Sequence, residues 1–139
     1  MPSINFLSEG IKFKPKNQNK LSRWIKGIIA SERRGLSSLV YIFCQDSYLL
    51  TINHDYLKHK TLTDIITFDY SEGEDVDGEI YISIDRVKEN ATKFEKSFDN
   101  ELHRVMIHGV LHILGFSDKS SSQKSTMRKK EEACLSLLK

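Results

Sequence analysis

Two cysteines, Cys44 and Cys134, are all that this 139-residue chain contains, ninety positions apart and without the short spacings of a thiolate knuckle. A structural zinc site built on cysteine is therefore excluded, and reduced, buried thiols are expected. Long apolar runs are also missing: the longest, around 36–44, falls far short of the ~20 residues that span a bilayer. The opening stretch, Met-Pro-Ser-Ile-Asn-Phe-Leu-Ser-Glu-Gly, has no basic region followed by an apolar core. No secretory signal is expected, and the expected compartment is the cytoplasm. Internal repeats, low-complexity tracts and linkers are lacking as well. With 39% hydrophobic and 29% charged residues, disorder is not expected. The length suits a single domain over 1–139.

The net charge of +2 conceals an uneven distribution. Lys12, Lys14, Lys16, Lys20, Arg23 and Lys26 face a single acid, Glu9, in the first 26 residues. After Asp118, the cations Lys119, Lys124, Arg128, Lys129, Lys130 and Lys139 outnumber Glu131 and Glu132. Between these flanks lies an acidic cluster at Asp69, Glu72, Glu74, Asp75, Asp77 and Glu79. Basic flanks can hold a phosphate backbone, but charge alone reads as solvated faces.

Strands are expected at 4–7, 39–44, 64–70 and 79–84, the last two as a hairpin-like pair around an acidic turn at 71–77. Helices are expected from Asn17 or Asn19 to about Arg33, ended by Gly35, and from an Asp46 cap to about Tyr56. Three more should cover 85–94, 100–114 (capped by Asp99) and about 121–138. This order predicts an α+β domain, a mixed sheet of about four strands packed with helices.

The 100–114 helix carries the chemistry. Leu102, Val105, Met106, Ile107, Val110, Leu111, Ile113 and Leu114 make it apolar nearly all round, so it should be buried against the sheet. His108 and His112 sit four residues apart on it, about 40° and about 6 Å from each other. Gly115 suits a left-handed helix end, after which the chain can return Asp118. Two imidazoles, one carboxylate and an open position describe a divalent-metal site held for chemistry. The plainer alternative is a histidine pair that merely shares a face. His103, off that face, reads as an ordinary surface or capping residue.

Metal-assisted hydrolysis is the natural task of such a site. Zinc proteases with His-x-x-x-His place a glutamate directly after the first histidine as general base. Here Gly109 stands there, so peptide hydrolysis loses its proton acceptor. A glycine inside a helix costs about 1 kcal/mol relative to alanine, which implies close approach of a backbone or substrate, or a simple packing contact.

His-Gly-x-Leu-His, then x-x-Gly, an aromatic residue and a third ligand six positions after the second histidine, resembles the YbeY family of single-strand-specific endoribonucleases. The segments Ile52-Asn53-His54-Asp55-Tyr56, Thr63-Asp64-Ile65-Ile66-Thr67-Phe68 and Gly78-Glu79-Ile80-Tyr81-Ile82-Ser83 are similar to family segments, and Glu101 also matches. The likeness runs from about residue 36 to the end. It implies a role in ribosomal RNA maturation and ribosome quality control, with single-stranded RNA and the small ribosomal subunit as partners. It also implies one divalent metal ion, zinc, on His108, His112 and Asp118, and no other cofactor or membrane. Thr63, Asp64 and Lys58 would contact substrate, with turn formation the alternative for the first two. Tyr70, Phe116 or Tyr56 could stack on bases, each with a core or rim role as the alternative. No side chain besides water on the metal stands out as a general base, and that role stays open.

Two departures touch the site. Asp118 replaces the family's third histidine; oxygen is an accepted zinc ligand, and its charge should make water on the metal less acidic. Leu57 replaces an arginine credited with phosphate contact, leaving Lys58 or Lys60 as point charges. A ribosome-associated binding or assembly factor with weak catalysis, or a small metallohydrolase of another substrate class, are the competing readings.

Overall fold

The computed structural model describes residues 2–57 and 63–138, without the side chains of 54–57. Its elements are β1 (Ser3–Ser8), α1 (Gln18–Ser31), β2 (Gly35–Cys44), α2 (Asp46–Leu57), β3 (Ile65–Asp69), β4 (Asp75–Ser83), α3 (Ile84–Lys93), α4 (Phe98–Ile113) and α5 (Ser121–Ser136). The four strands form one sheet in the order β1-β2-β4-β3. β1 and β4 pair with β2 in parallel, whereas β3 runs antiparallel to β4. The expected mixed four-stranded α+β architecture and the β3–β4 pair are both present.

The larger core joins α1 and α4 to one face of the sheet, through Trp24, Ile25, Ile29, Tyr41, Phe43, Ile80, Ile82 and the apolar residues of α4. A smaller one on Cys44, Leu49, Ile52 and Ile66, flanked by Phe68 and Tyr81, seats α2. Alternation along a strand explains the division: Ile80 and Ile82 enter the first core, Tyr81 borders the second. The apolar residues of α4 are covered, with Leu102, Val105, Met106, Ile107, Val110 and Leu111 at most 1% exposed. The Tyr41 hydroxyl donates to the Met106 carbonyl at 3.0 Å, fixing the helix on the sheet. Cys44 and Cys134 are free and buried.

Gly109 shows why this helix can lie so close. A Cβ there would come within 2.9 Å of Ile80 Cδ1 and 3.0 Å of Ile65 Cδ1. Of the two explanations for the glycine, packing against the sheet is the one observed.

Several boundaries differ from the sequence expectation. α1 ends at Ser31, not near Arg33, and Gly35 does not end it. Arg33 takes the left-handed conformation at φ 60°, and Gly35 opens β2, where any Cβ would collide with the Asp75 carboxylate. Asn17 occupies the cap position of α1, but itself left-handed and without a side-chain bond. Asp46 is the first residue of α2, and its carboxylate receives Ser83 Oγ at 2.6 Å and Arg86 Nε at 3.0 Å. Ser97, not Asp99, caps α4, as Ser83 caps α3; Ser120 and Gln123 form a reciprocal capping box on α5. His103 is not a surface or capping residue: it is partly buried, edge-on to Trp24 at 6.1 Å between ring centres.

Candidate metal centre

The last two turns of α4 deliver the two imidazoles, and its ending delivers the third group. Gly115, at φ 108°, lets the Phe116 N–H reach the Leu111 carbonyl at 2.9 Å and its own N–H reach His112 at 3.0 Å. This is the Schellman termination, which satisfies helix carbonyls while reversing the chain. Three residues later Asp118 faces back onto the histidines. Its Oδ2 lies 3.4 Å from His108 Nε2 and 3.5 Å from His112 Nε2, and the two nitrogens are 3.0 Å apart.

That triangle suits a single divalent ion. Ligands at 2.0–2.1 Å around a tetrahedral ion are separated by about 3.3 Å. Each of the three side chains is half-buried, which leaves one side of the triangle open. Among the described residues, His108, His112 and Asp118 are the one cluster of this kind.

The tautomer of His108 is set from α5. Its Nδ1–H donates to Glu131 Oε2 at 2.5 Å, which turns the Nε2 lone pair toward His112 and Asp118. Glu131, 3% exposed, also receives Arg104 Nη1 at 3.2 Å. Arg104 makes a bidentate pair with Glu101, through Nε at 3.0 Å and Nη2 at 2.7 Å, and Glu101 is 1% exposed. Burial opposes the ionised Glu131, but hydrogen bonds from His108 and Arg104 outweigh it and hold its carboxyl below the usual range. Burial likewise works against the Arg104 cation, and the Glu101 and Glu131 carboxylates more than offset it. For His112, burial and then the neighbouring His108 lower the pKa, which favours the neutral ring that a metal needs.

Asp64 stands beside this network, with Oδ2 at 3.8 Å from Arg104 Nη2. Burial raises its pKa, with Arg104 and His108 pulling the other way. Three carboxylates (Asp64, Glu101, Glu131) thus meet the Arg104 guanidinium, and a fourth, Asp118, faces the two imidazoles. The Thr63 hydroxyl donates to the Ile65 carbonyl at 3.2 Å, which is a turn contact. Lys58 and Lys60 lie outside the described residues, as do the side chains of Tyr56 and Leu57.

The remaining aromatic expectations divide. Tyr70 is exposed but lies six residues along from Asp64, about 20 Å away in an extended chain, where it stacks on Phe68. Phe116 packs against the core with Lys130 Nζ over its ring at 5.5 Å. A cleft of about 440 Å³ opens beside the triangle, lined by Arg104, His108, Asp118, Lys124, Arg128 and Glu131 among others.

Arg104 and Glu131 escaped the sequence reading. The signal was present in α5, where Glu131 interrupts an apolar stripe of Met127, Cys134 and Leu138. An acid on a buried face needs a partner, and that partner is a cation and an imidazole on α4.

Among the described residues, no helix is long and apolar enough to cross a membrane. The family model described as Endoribonuclease YbeY matches residues 4–139. The chain is 50% identical over 127 residues to the protein named Endoribonuclease YbeY of Flavobacterium psychrophilum, covering 91% of each chain. It is 41% identical over 135 residues to the protein of the same name from Phocaeicola vulgatus, covering 97% of this chain and 98% of that one. A solution structure of a Thermotoga maritima protein superposes with a TM-score of 0.66 at 31% identity, over 96% of this chain and 87% of that one. With the motifs, the fold and nearly the full length in agreement, the chain belongs to the YbeY endoribonuclease family.

Proposed function

We propose that the protein is a metal-dependent endoribonuclease that cuts single-stranded RNA, working in the cytoplasm on ribosomal RNA and at the small ribosomal subunit during maturation and quality control. The observation that carries this reading is the triangle of His108 Nε2, His112 Nε2 and Asp118 Oδ2, with edges of 3.0–3.5 Å, at the mouth of an open cleft. The relatives' shared name, Endoribonuclease YbeY, supplies the bond class.

In this reading the three side chains hold one divalent ion, and zinc is the metal that two imidazoles and a carboxylate suit best. When bound, such an ion acidifies water and offsets charge on a phosphoryl oxygen. The chain supplies position. Glu131 keeps His108 in the tautomer that exposes Nε2, and Arg104 holds Glu131 and Glu101 in one clamp. Thr63 and Asp64 line the substrate side, where burial pushes the Asp64 carboxyl above the usual carboxylate range.

The test pairs substrates with a ligand variant. Wild type should cut single-stranded RNA, leave duplex RNA and a peptide intact, and lose RNA cleavage in Asp118→Ala. Peptide cleavage that depends on Asp118 would favour a metallohydrolase of another class. RNA binding with negligible turnover in wild type would favour an assembly factor, a reading kept alive by Leu57 at the family's arginine position.

A further inference from the structure

Between Asp118 and Glu131 the sequence holds five cations, Lys119, Lys124, Arg128, Lys129 and Lys130, and no acid. One is committed elsewhere, since Lys130 Nζ pairs with Glu32 at 2.9 Å. Lys124 and Arg128 differ in three respects. Both are exposed, both line the cleft that His108 and Asp118 also line, and neither side chain has a hydrogen bond or ion pair to any described residue. Their spacing of four places them on one face of α5, about 6 Å apart along its axis. Glu131, which grips His108, continues the same face at i+7 from Lys124. The row therefore runs outward from the candidate centre. Arg104, the cleft's third cation, is occupied by Glu101 and Glu131.

We propose that Lys124 and Arg128 bind phosphodiesters of the RNA strand flanking the scissile bond, guiding that strand along α5 into the centre. The inference rests on the endoribonuclease reading and deepens it. The two side chains stand in register on a stretch, 119–130, that carries no acid, while the cleft's own acids Asp118 and Glu131 are engaged with the histidines and Arg104; together they form an anion path directed at the metal ligands. Each phosphate so neutralised releases counterions, giving a salt dependence that a purely structural role would not produce.

The experiment measures binding of a cleavage-resistant, single-stranded 2′-O-methyl phosphorothioate oligonucleotide to the full chain across a salt series, with bound metal determined in parallel. For the Lys124→Gln/Arg128→Gln double variant, the slope of log affinity against log salt should become shallower by about 1.4, from about 0.7 per phosphate on a single strand. Affinity at low salt should fall on the order of tenfold. Bound metal should stay at the wild-type level, and Lys124→Arg should keep the wild-type slope. A Lys20→Gln/Arg23→Gln variant, with the same charge change on α1, should also keep it. An unchanged slope in the Lys124/Arg128 variant, or an equal loss in the α1 variant, overturns the inference while cleavage by wild type still stands. A wild-type chain that binds no RNA overturns both this path and the endoribonuclease reading.

Discussion

Nδ1 of His108 lies 2.5 Å from Oε2 of Glu131, a residue 23 positions later on a different helix. Through that contact α5 acts on the candidate centre without contributing a ligand. A histidine that donates one ring nitrogen to a carboxylate presents the other as a fixed, more basic lone pair. Arg104 in turn keeps Glu131 ionised and in place.

Removing this support should weaken metal binding more than it weakens the fold. Glu131→Ala is expected to lower metal affinity by about 10–100-fold. Glu131→Gln, which can still accept from Nδ1, should lose less. Competition titration against a chromogenic chelator measures both; equal affinity in wild type and Glu131→Ala would contradict the orienting role.

Gly109 should resist even the smallest enlargement. Alanine gains about 1 kcal/mol of helix propensity. Against this, its Cβ meets Ile80 and Ile65 at 2.9–3.0 Å inside a packed core, and such overpacking costs about 1–3 kcal/mol. A net loss of about 1 kcal/mol is expected for Gly109→Ala in urea denaturation. A gain in stability would mean that the sheet yields easily to the helix.

The opposite substitution should help at the end of α3. Glu95 sits at φ 56° in a Schellman termination, with Lys96 N–H bonded to the Ala91 carbonyl at 2.9 Å. A side chain in this conformation costs about 1–2 kcal/mol. Glycine removes that cost at an unfolded-state entropy penalty of about 0.5–1 kcal/mol. Glu95→Gly should therefore raise stability by about 0.5–1 kcal/mol in thermal or urea melts, and a lower midpoint would refute it.

How much of this was visible in the sequence depends on the range of the interaction. The His108–His112 spacing, the Gly115 ending and the apolar face of α4 are local patterns, and each predicted its own structure. Helix starts were misplaced because an N-cap is decided by which oxygen reaches a free N–H. Ser97 and Ser83 do so, whereas Asp99 falls inside the first turn and Asp46 is drawn off by Ser83 and Arg86. β2 begins at Gly35, four residues before the strand expected at 39–44, because pairing with β4 extends into polar positions. The Glu101–Arg104–Glu131–His108 network joins two helices, and no periodicity within either one reveals its partner.

His103 supplies a pH signature outside the centre. Burial against Trp24 is the main cause of its lowered pKa, with Lys20 acting in the same direction and Asp99 opposing. The unfolded chain therefore binds a proton more readily than the folded one. The stabilising contribution is complete above the unfolded value of about 6.5 and declines as pH falls toward the folded value. His103→Gln should show a smaller loss of urea midpoint between about pH 7.5 and about pH 5.5 than wild type. An identical loss would place the titration elsewhere.

The most direct test of the central claim determines bound metal and single-stranded RNA cleavage together, for the native protein and for His112→Ala. One divalent ion per wild-type chain is expected, with metal and cleavage lost together in the variant. Equal RNA loss by both proteins would contradict the nuclease, and equal metal in both would contradict the site.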